Sequence, residues 1–200
     1  MTPFRRLTSR AVVLDRDDVD TDQIIPARFL KVVSREGLGR ALFADWRFDA
    51  TGTPRAEFVL NRPEAEGARV LVAGRNFGCG SSREHAVWAL AGFGFRVVLA
   101  RSLADIFAAN ALKNGLLATT LDEAAWGRLA GHAGEVTVDL ETQQVSWGED
   151  ARAAFRVAPF ARQCLLAGRD ELEFLLAQEE RIAAFERAAA AGTGGVGSWS

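Results

Sequence analysis

Two short apolar runs, Arg69–Ala73 (RVLVA) and Arg96–Ala100 (RVVLA), enclose a stretch with helical spacing. This arrangement limits the fold more than any other feature. Each run is valine-rich and too short for a buried helix, the signature of a strand covered on both faces. Between them, Arg83 to Phe93 places Val87, Leu90 and Ala91 on one helical face. The alternation continues. Ser102 can cap a helix from Leu103 to Lys113, which Gly115 ends; Leu116–Thr120 is a third strand; Asp122 caps a helix to about Ala130. Successive strands joined by single helices run parallel, so an α/β layer is expected.

The flanks are less regular. Arg10–Leu14 is a short valine-rich strand, and Asp15–Pro26 (DRDDVDTDQIIP) an acidic loop. Phe29 to Trp46, interrupted by Gly37 and Gly39, predicts short helical pieces; Asp49–Pro54 is a turn and Phe58–Leu60 a short strand. Val136–Leu140 and Gln144–Trp147 alternate as a hairpin. A short helix follows Pro159 and ends near Gly168. Asp170 can cap a last amphipathic helix carrying Leu172, Leu175, Leu176, Glu179, Ile182 and Ala183. The expected organisation is one domain over residues 1–190 and a flexible glycine-rich tail over 191–200.

Composition narrows function. A net charge of −2 gives no electrostatic reason to bind nucleic acid or an acidic membrane, and no apolar run approaches the roughly 20 residues of a span. The apolar stretch Ala11–Leu14 is too short for a signal-peptide core, which with only two cysteines points to the cytoplasm. Cys79 and Cys164 alone hold neither a structural zinc nor an iron–sulfur cluster, and the two histidines, His85 and His132, are far apart in sequence.

The strongest chemical feature is the strand followed by GRNFGCGSS and then a helix opening with Arg83, Glu84 and His85. Glycines let the backbone approach a ligand, and a helix N-terminus presents free N–H groups to an anion. Arg83 adds a planar fork suited to carboxylate or phosphate. Neither GxxxxGK[ST] nor a complete GxGxxG is present. The bland alternative is an ordinary helix capped by Ser81 or Ser82; a further one is a serine acting as base or nucleophile, stabilised by the same N–H groups. Cys79 is read as a small residue packed in a tight loop rather than a reactive thiolate, and His85 as bonded locally. The acidic loop lacks the glycine and final glutamate of an EF-hand, so a solvated turn is its plain reading. Within it, Asp20-Thr21-Asp22 precedes an apolar pair, and a carboxylate there is placed to orient another side chain. Asn110, Lys113 and Asn114 stand near a helix end as candidates for function, and a C-terminal Lys followed by Asn-Gly is also an ordinary helix stop.

These features occur together in one family. DTDQIIPARFL (Asp20–Leu30), GRALFADWRF (Gly39–Phe48), NFGCGSSREHA (Asn76–Ala86) and ADIFAANALKNGLL (Ala104–Leu117) resemble the small subunits of isopropylmalate dehydratases, themselves similar to the swivelling C-terminal domain of aconitase. The resemblance covers about residues 4 to 190. It implies a swivelling β/β/α fold and half of a hydro-lyase that interconverts 2- and 3-isopropylmalate by dehydration and rehydration in leucine biosynthesis. It implies that this chain binds no cofactor and that a large partner subunit carries a 4Fe–4S cluster acting as Lewis acid. By the family's motif, Ser81 moves the proton, Arg83 and Ser82 bind substrate carboxylate, and Thr21 and Asp22 approach the site and support a histidine of the partner. Arg28–Arg35 matches the loop meeting the substrate's variable side chain, with Arg35 a candidate second carboxylate ligand. Related small subunits serve citraconate, homoaconitate or dimethylmalate chemistry, and an autonomous carboxylate-binding module is the alternative of a different class.

Overall fold

The computed structural model describes residues 1–30, 35–177, 179 and 183–187. The expected tail, 191–200, and Ile182 lie outside the described residues. Four parallel strands form half of the sheet: β1 (Arg6–Leu14), β2 (Val70–Ala73), β3 (Val97–Ala100) and β4 (Leu117–Thr120). Three antiparallel strands follow, β5 (Glu135–Asp139), β6 (Gln144–Trp147) and β7 (Ala151–Ala154). The order is β4-β3-β2-β1-β5-β6-β7. β1 is therefore the hinge of the sheet, parallel to β2 on one side and antiparallel to β5 on the other.

The burial of each half follows from what covers it. Every residue of β2 and β3 is buried, as expected for parallel strands sandwiched between layers, whereas β5 and β6 alternate. On one face Leu71, Ala73, Val98 and Ala100 pack with Val87, Leu90 and Phe107. Val87 and Leu90 come from α3 (Glu84–Phe93) and Phe107 from α4 (Asp105–Lys113), which follow the one-turn helices α1 (Thr21–Ile24) and α2 (Ala44–Arg47). On the other face Val70, Val72, Val97 and Leu99 pack with Trp126, Leu129 and Leu165. These belong to the helices Glu123–Ala130 and Pro159–Ala167. Trp126 also donates its indole N–H to Ala73 O (2.6 Å), while the Arg101 guanidinium stacks 3.6 Å above its ring.

The parallel layer, the Asp122 cap and the hairpin agree with the sequence reading, and several details differ. Phe58–Leu60 is not a strand: Val59–Asn61 is a 3-10 turn. The segment packs beside β1, whose two edges are already taken by β2 and β5. β1 starts at Arg6, four residues early, because Arg6 to Arg10 pair with β5, and β7 adds a third antiparallel strand. Ser102 does not cap α4; its hydroxyl accepts the N–H of Asn76 (2.7 Å), and the helix starts at Asp105. Ala91 faces outward, while Ala86 and Ala89 join Val87 and Leu90 on the inward face of that helix, α3. The last helix begins, as expected, at the Asp170–Glu173 capping box; Glu171–Leu176 is helical with Leu172, Leu175 and Leu176 exposed, and residues 179 and 183–187 are helical as well.

Around Gly39 the packing is backbone against backbone. A Cβ there would lie 2.2 Å from Gly92 C, at the end of α3. Neither side can yield without moving the turn Leu38–Ala41 or α3 itself. Gly39→Ala is expected to lower unfolding stability by about 3 kcal/mol. Gly127→Ala, at a helical site with nothing within 4 Å, is expected to raise it by about 0.5–1 kcal/mol. Urea unfolding midpoints of the two variants check both signs.

Candidate functional site at the carboxyl edge of the parallel strands

Strand pairing does not stop where the strands do. Beyond β1, Gly78 N–H donates to Val19 O (2.7 Å) and Thr21 N–H to Cys79 O (2.9 Å). Beyond β2, Phe77 N–H donates to Ser102 O (3.1 Å) and Ala104 N–H to Phe77 O (3.0 Å). The acidic loop, the glycine-rich loop and the entry to α4 are thus zipped side by side at the carboxyl ends of β1, β2 and β3. That edge is where parallel α/β layers place their ligands. Gly78, with φ +80°, is where the zipper touches α4, and a Cβ there would meet Phe107 Cγ at 2.2 Å.

The five aspartates of the acidic loop each have a role in that zipper. Asp15 lies 3.6 Å from Arg101. Asp17 accepts Arg75 N–H (2.6 Å), which holds its carboxyl below the usual range, and also faces Arg101. Asp18 accepts from the Asn76 side chain (2.8 Å). Asp20 caps the one-turn helix Thr21–Ile24 in a reciprocal box with Gln23. Asp22 forms an ion pair with Arg83. Arg101 also has its Nε 3.1 Å from Glu123, an ion-pair separation without hydrogen-bond alignment. The loop is a lacing device, and its carboxylates are spent on arginines and amides.

On this base stand the predicted site residues. Thr21 is buried and donates its hydroxyl to Ser81 O (2.9 Å), a bond worth about 1 kcal/mol. Ser81 and Ser82 are exposed, immediately before α3. Neither caps that helix. The N-cap is Arg83 in extended conformation, with no side-chain bond to the first turn. This removes the ordinary-cap reading and leaves the positive end of a ten-residue helix facing the two serines. The Arg83 side chain is only 19% exposed, and Asp22 at 53% sits on its outer side. Ser81, Ser82, Arg83, Thr21 and Asp22 are therefore brought together; Arg35 stands with its guanidinium 4.9 Å from the Trp88 ring centroid, five residues along α3 from Arg83. Residues 31–34 of the Arg28–Arg35 loop lie outside the described residues.

The Aconitase C-terminal domain family matches residues 1–124. The 3-isopropylmalate dehydratase small subunit of Anaeromyxobacter dehalogenans (strain 2CP-C) is 59% identical over 187 residues, 93% of this chain and 98% of that one. That of Roseiflexus castenholzii is 54% identical over 193 residues, covering 94% and 95%. The chain belongs to the 3-isopropylmalate dehydratase small-subunit family. A crystal structure of 3-isopropylmalate dehydratase from Methanocaldococcus jannaschii has the same fold, with a TM-score of 0.67 at 27% identity over 90% of this chain and 98% of that one. A small subunit implies a large one, and the mixed α/β layer described above is the aconitase C-terminal fold.

Two residues read in the sequence at a helix stop lie against the candidate site. Asn110 reaches toward Ser82 Oγ (3.5 Å), and Asn114 donates to Glu84 Oε1 (2.8 Å) while accepting from the Trp88 indole N–H (2.9 Å). Their four-residue spacing on α4 was a signal that both face α3. His85 packs its ring against Trp88, with centroids 4.6 Å apart. Cys79 is half-buried, and burial, then the Asp20 and Asp18 carboxylates, push its thiol above the ordinary range. A raised pKa means less thiolate at any pH below it. In a Cys164→Ser background, the reaction of Cys79 with a thiol reagent is expected to titrate with a midpoint above that of free cysteine, about 8.5. A stopped-flow pH profile checks this, and a midpoint below free cysteine would contradict it.

Proposed function

We propose that this chain is the catalytic small subunit of a two-subunit, cytoplasmic hydro-lyase that converts 2-isopropylmalate to 3-isopropylmalate in leucine biosynthesis. The observation that carries the reading is the exposed Ser81 beside Arg83, at the uncapped N-terminus of α3. Ser81 takes the proton from the carbon next to a substrate carboxylate. The C–H electron pair becomes the C=C bond, and the hydroxyl leaves the adjacent carbon as water after gaining a proton. Rehydration reverses these steps with the two carbons exchanged, and Ser81 returns the proton.

Charge explains the rest of the site. Proton loss next to a carboxylate builds a dianion, which needs donors already in place. Arg83 supplies a two-pronged cation, Ser82 and the α3 amides further donors, and Arg35 a second cation for the other carboxylate. Asp22 holds the Arg83 fork in orientation, and in the assembled enzyme its exposed side supports a histidine of the large subunit. Thr21 acts through Ser81, fixing the backbone from which the base projects.

A 4Fe–4S cluster, which would supply a Lewis acid for the leaving hydroxyl, does not fit this chain. Its two cysteines fall short of the ligands a cluster needs, Cys79 disfavours the thiolate form, and no metal-binding group of three His, Cys, Asp or Glu occurs among the described residues. We assign the cluster to the large subunit and route no step of this chain through it.

Anaerobic assay with 2-isopropylmalate is expected to give turnover only when this chain and a cluster-loaded large subunit are combined. Substitution of citramalate separates the related citraconate chemistry. Turnover of the combined subunits is expected to fall at least 100-fold in Ser81→Ala and in Arg83→Lys, with unfolding midpoints unchanged. Wild-type turnover by Ser81→Ala would refute the assignment of the base.

A further inference from the structure

Arg35 stands over α3 from a loop, and a loop cation is useful only if something sets its position. The structure shows what does. The guanidinium lies over the face of Trp88, 4.9 Å from the ring centroid. A cation held by a π face keeps its N–H edges available, because the stack consumes no donor. Among the described residues Arg35 forms no ion pair. The position of the cation is therefore only as well defined as the position of the indole.

The indole N–H is held by a single amide, while the ring itself packs against His85. Trp88 Nε1–H donates to Asn114 Oδ1 (2.9 Å). The same amide donates to Glu84 Oε1 (2.8 Å) and to Asn110 O (2.9 Å). With its oxygen and both N–H directions engaged, the Asn114 amide has one orientation. It joins two residues four apart on α3 to the last turn of α4, so the indole cannot tilt without breaking that link.

We propose that Asn114 is a positioning residue of this site, fixing Arg35 as the second carboxylate-binding cation through the ring of Trp88. The proposal rests on the functional reading above. Its signature is kinetic: a displaced binding cation weakens ground state and transition state alike, so KM rises and kcat does not follow.

The test uses the complete two-subunit enzyme with 2-isopropylmalate, and the small subunit for NMR. Asn114→Leu is expected to raise KM about tenfold with kcat within twofold, and to move the Trp88 indole N–H resonance. Arg35→Gln is expected to raise KM similarly, and Asn114→Leu with Arg35→Gln to raise it no further than Arg35→Gln alone. Additive KM effects, or a moved Trp88 resonance with unchanged KM in Asn114→Leu, overturn the positioning role and leave Arg35 as a ligand. An unchanged KM in Arg35→Gln removes Arg35 from substrate binding and overturns both. Should Asn114→Leu not assemble, Trp88→Leu must show the same KM rise and the same non-additivity, and its failure to do so overturns the proposal equally.

Discussion

The site depends on backbone pairing that outlasts the strands. Four hydrogen bonds between loops, from Gly78, Thr21, Phe77 and Ala104, extend the parallel register past the last regular residues of β1, β2 and β3. Buried amides must be paired, and these pairs leave the three loops little freedom relative to the sheet. Ser81 inherits its place from that register, through the Thr21 hydroxyl on its carbonyl. The aspartates then tie the acidic loop to Arg75, Asn76, Arg83 and Arg101, so charge fixes what the backbone has already placed.

The sheet's two halves explain why such a site forms only at one end. β1 pairs in parallel with β2 but antiparallel with β5, so only the parallel half sends several loops out of the same edge. Helices cover both faces of that half and force β2 and β3 to be wholly apolar. Polar chemistry is thereby confined to the loops. The antiparallel half offers covering surface, its Val136, Val138 and Val145 completing the core beneath Trp126 and Leu129.

Much of this is visible in the sequence, and the parts that are not have a common cause. Valine runs and helical spacing declare the parallel layer because periodicity is local. The glycine-rich loop and the start of a helix after it are legible for the same reason. The true cap of α3, the diversion of the Ser102 hydroxyl to Asn76 and the early start of β1 each depend on a partner distant in the chain. Asn114 is the sharpest case. In sequence it is the polar residue before Gly115, an ordinary helix end, yet its amide is engaged by Glu84 and Trp88, thirty and twenty-six residues away. The aspartates mislead in the opposite direction. Their density suggests a metal loop, but each carboxylate is already matched to an arginine, an asparagine or an amide.

The exposure of Ser81 sets the last constraint. A serine is a weak base, and its alkoxide gains from nearby positive charge only where water is excluded. In this chain Ser81 and Ser82 are open to solvent, although Arg83 beneath them is largely covered. On the function proposed above, half of a dry, cationic pocket is built here and the large subunit's surface supplies the other half. Asp22 fits that division. Its pairing keeps Arg83 aimed while the site is open, and because half of the Asp22 side chain faces solvent the pair contributes no more than about 1 kcal/mol. On that reading a substrate carboxylate shares the Arg83 fork with Asp22, and the attraction of Arg83 for both grows as water leaves the closing site. On the same reading the ion pair orients the arginine before closure and keeps its fork aimed at the substrate after it.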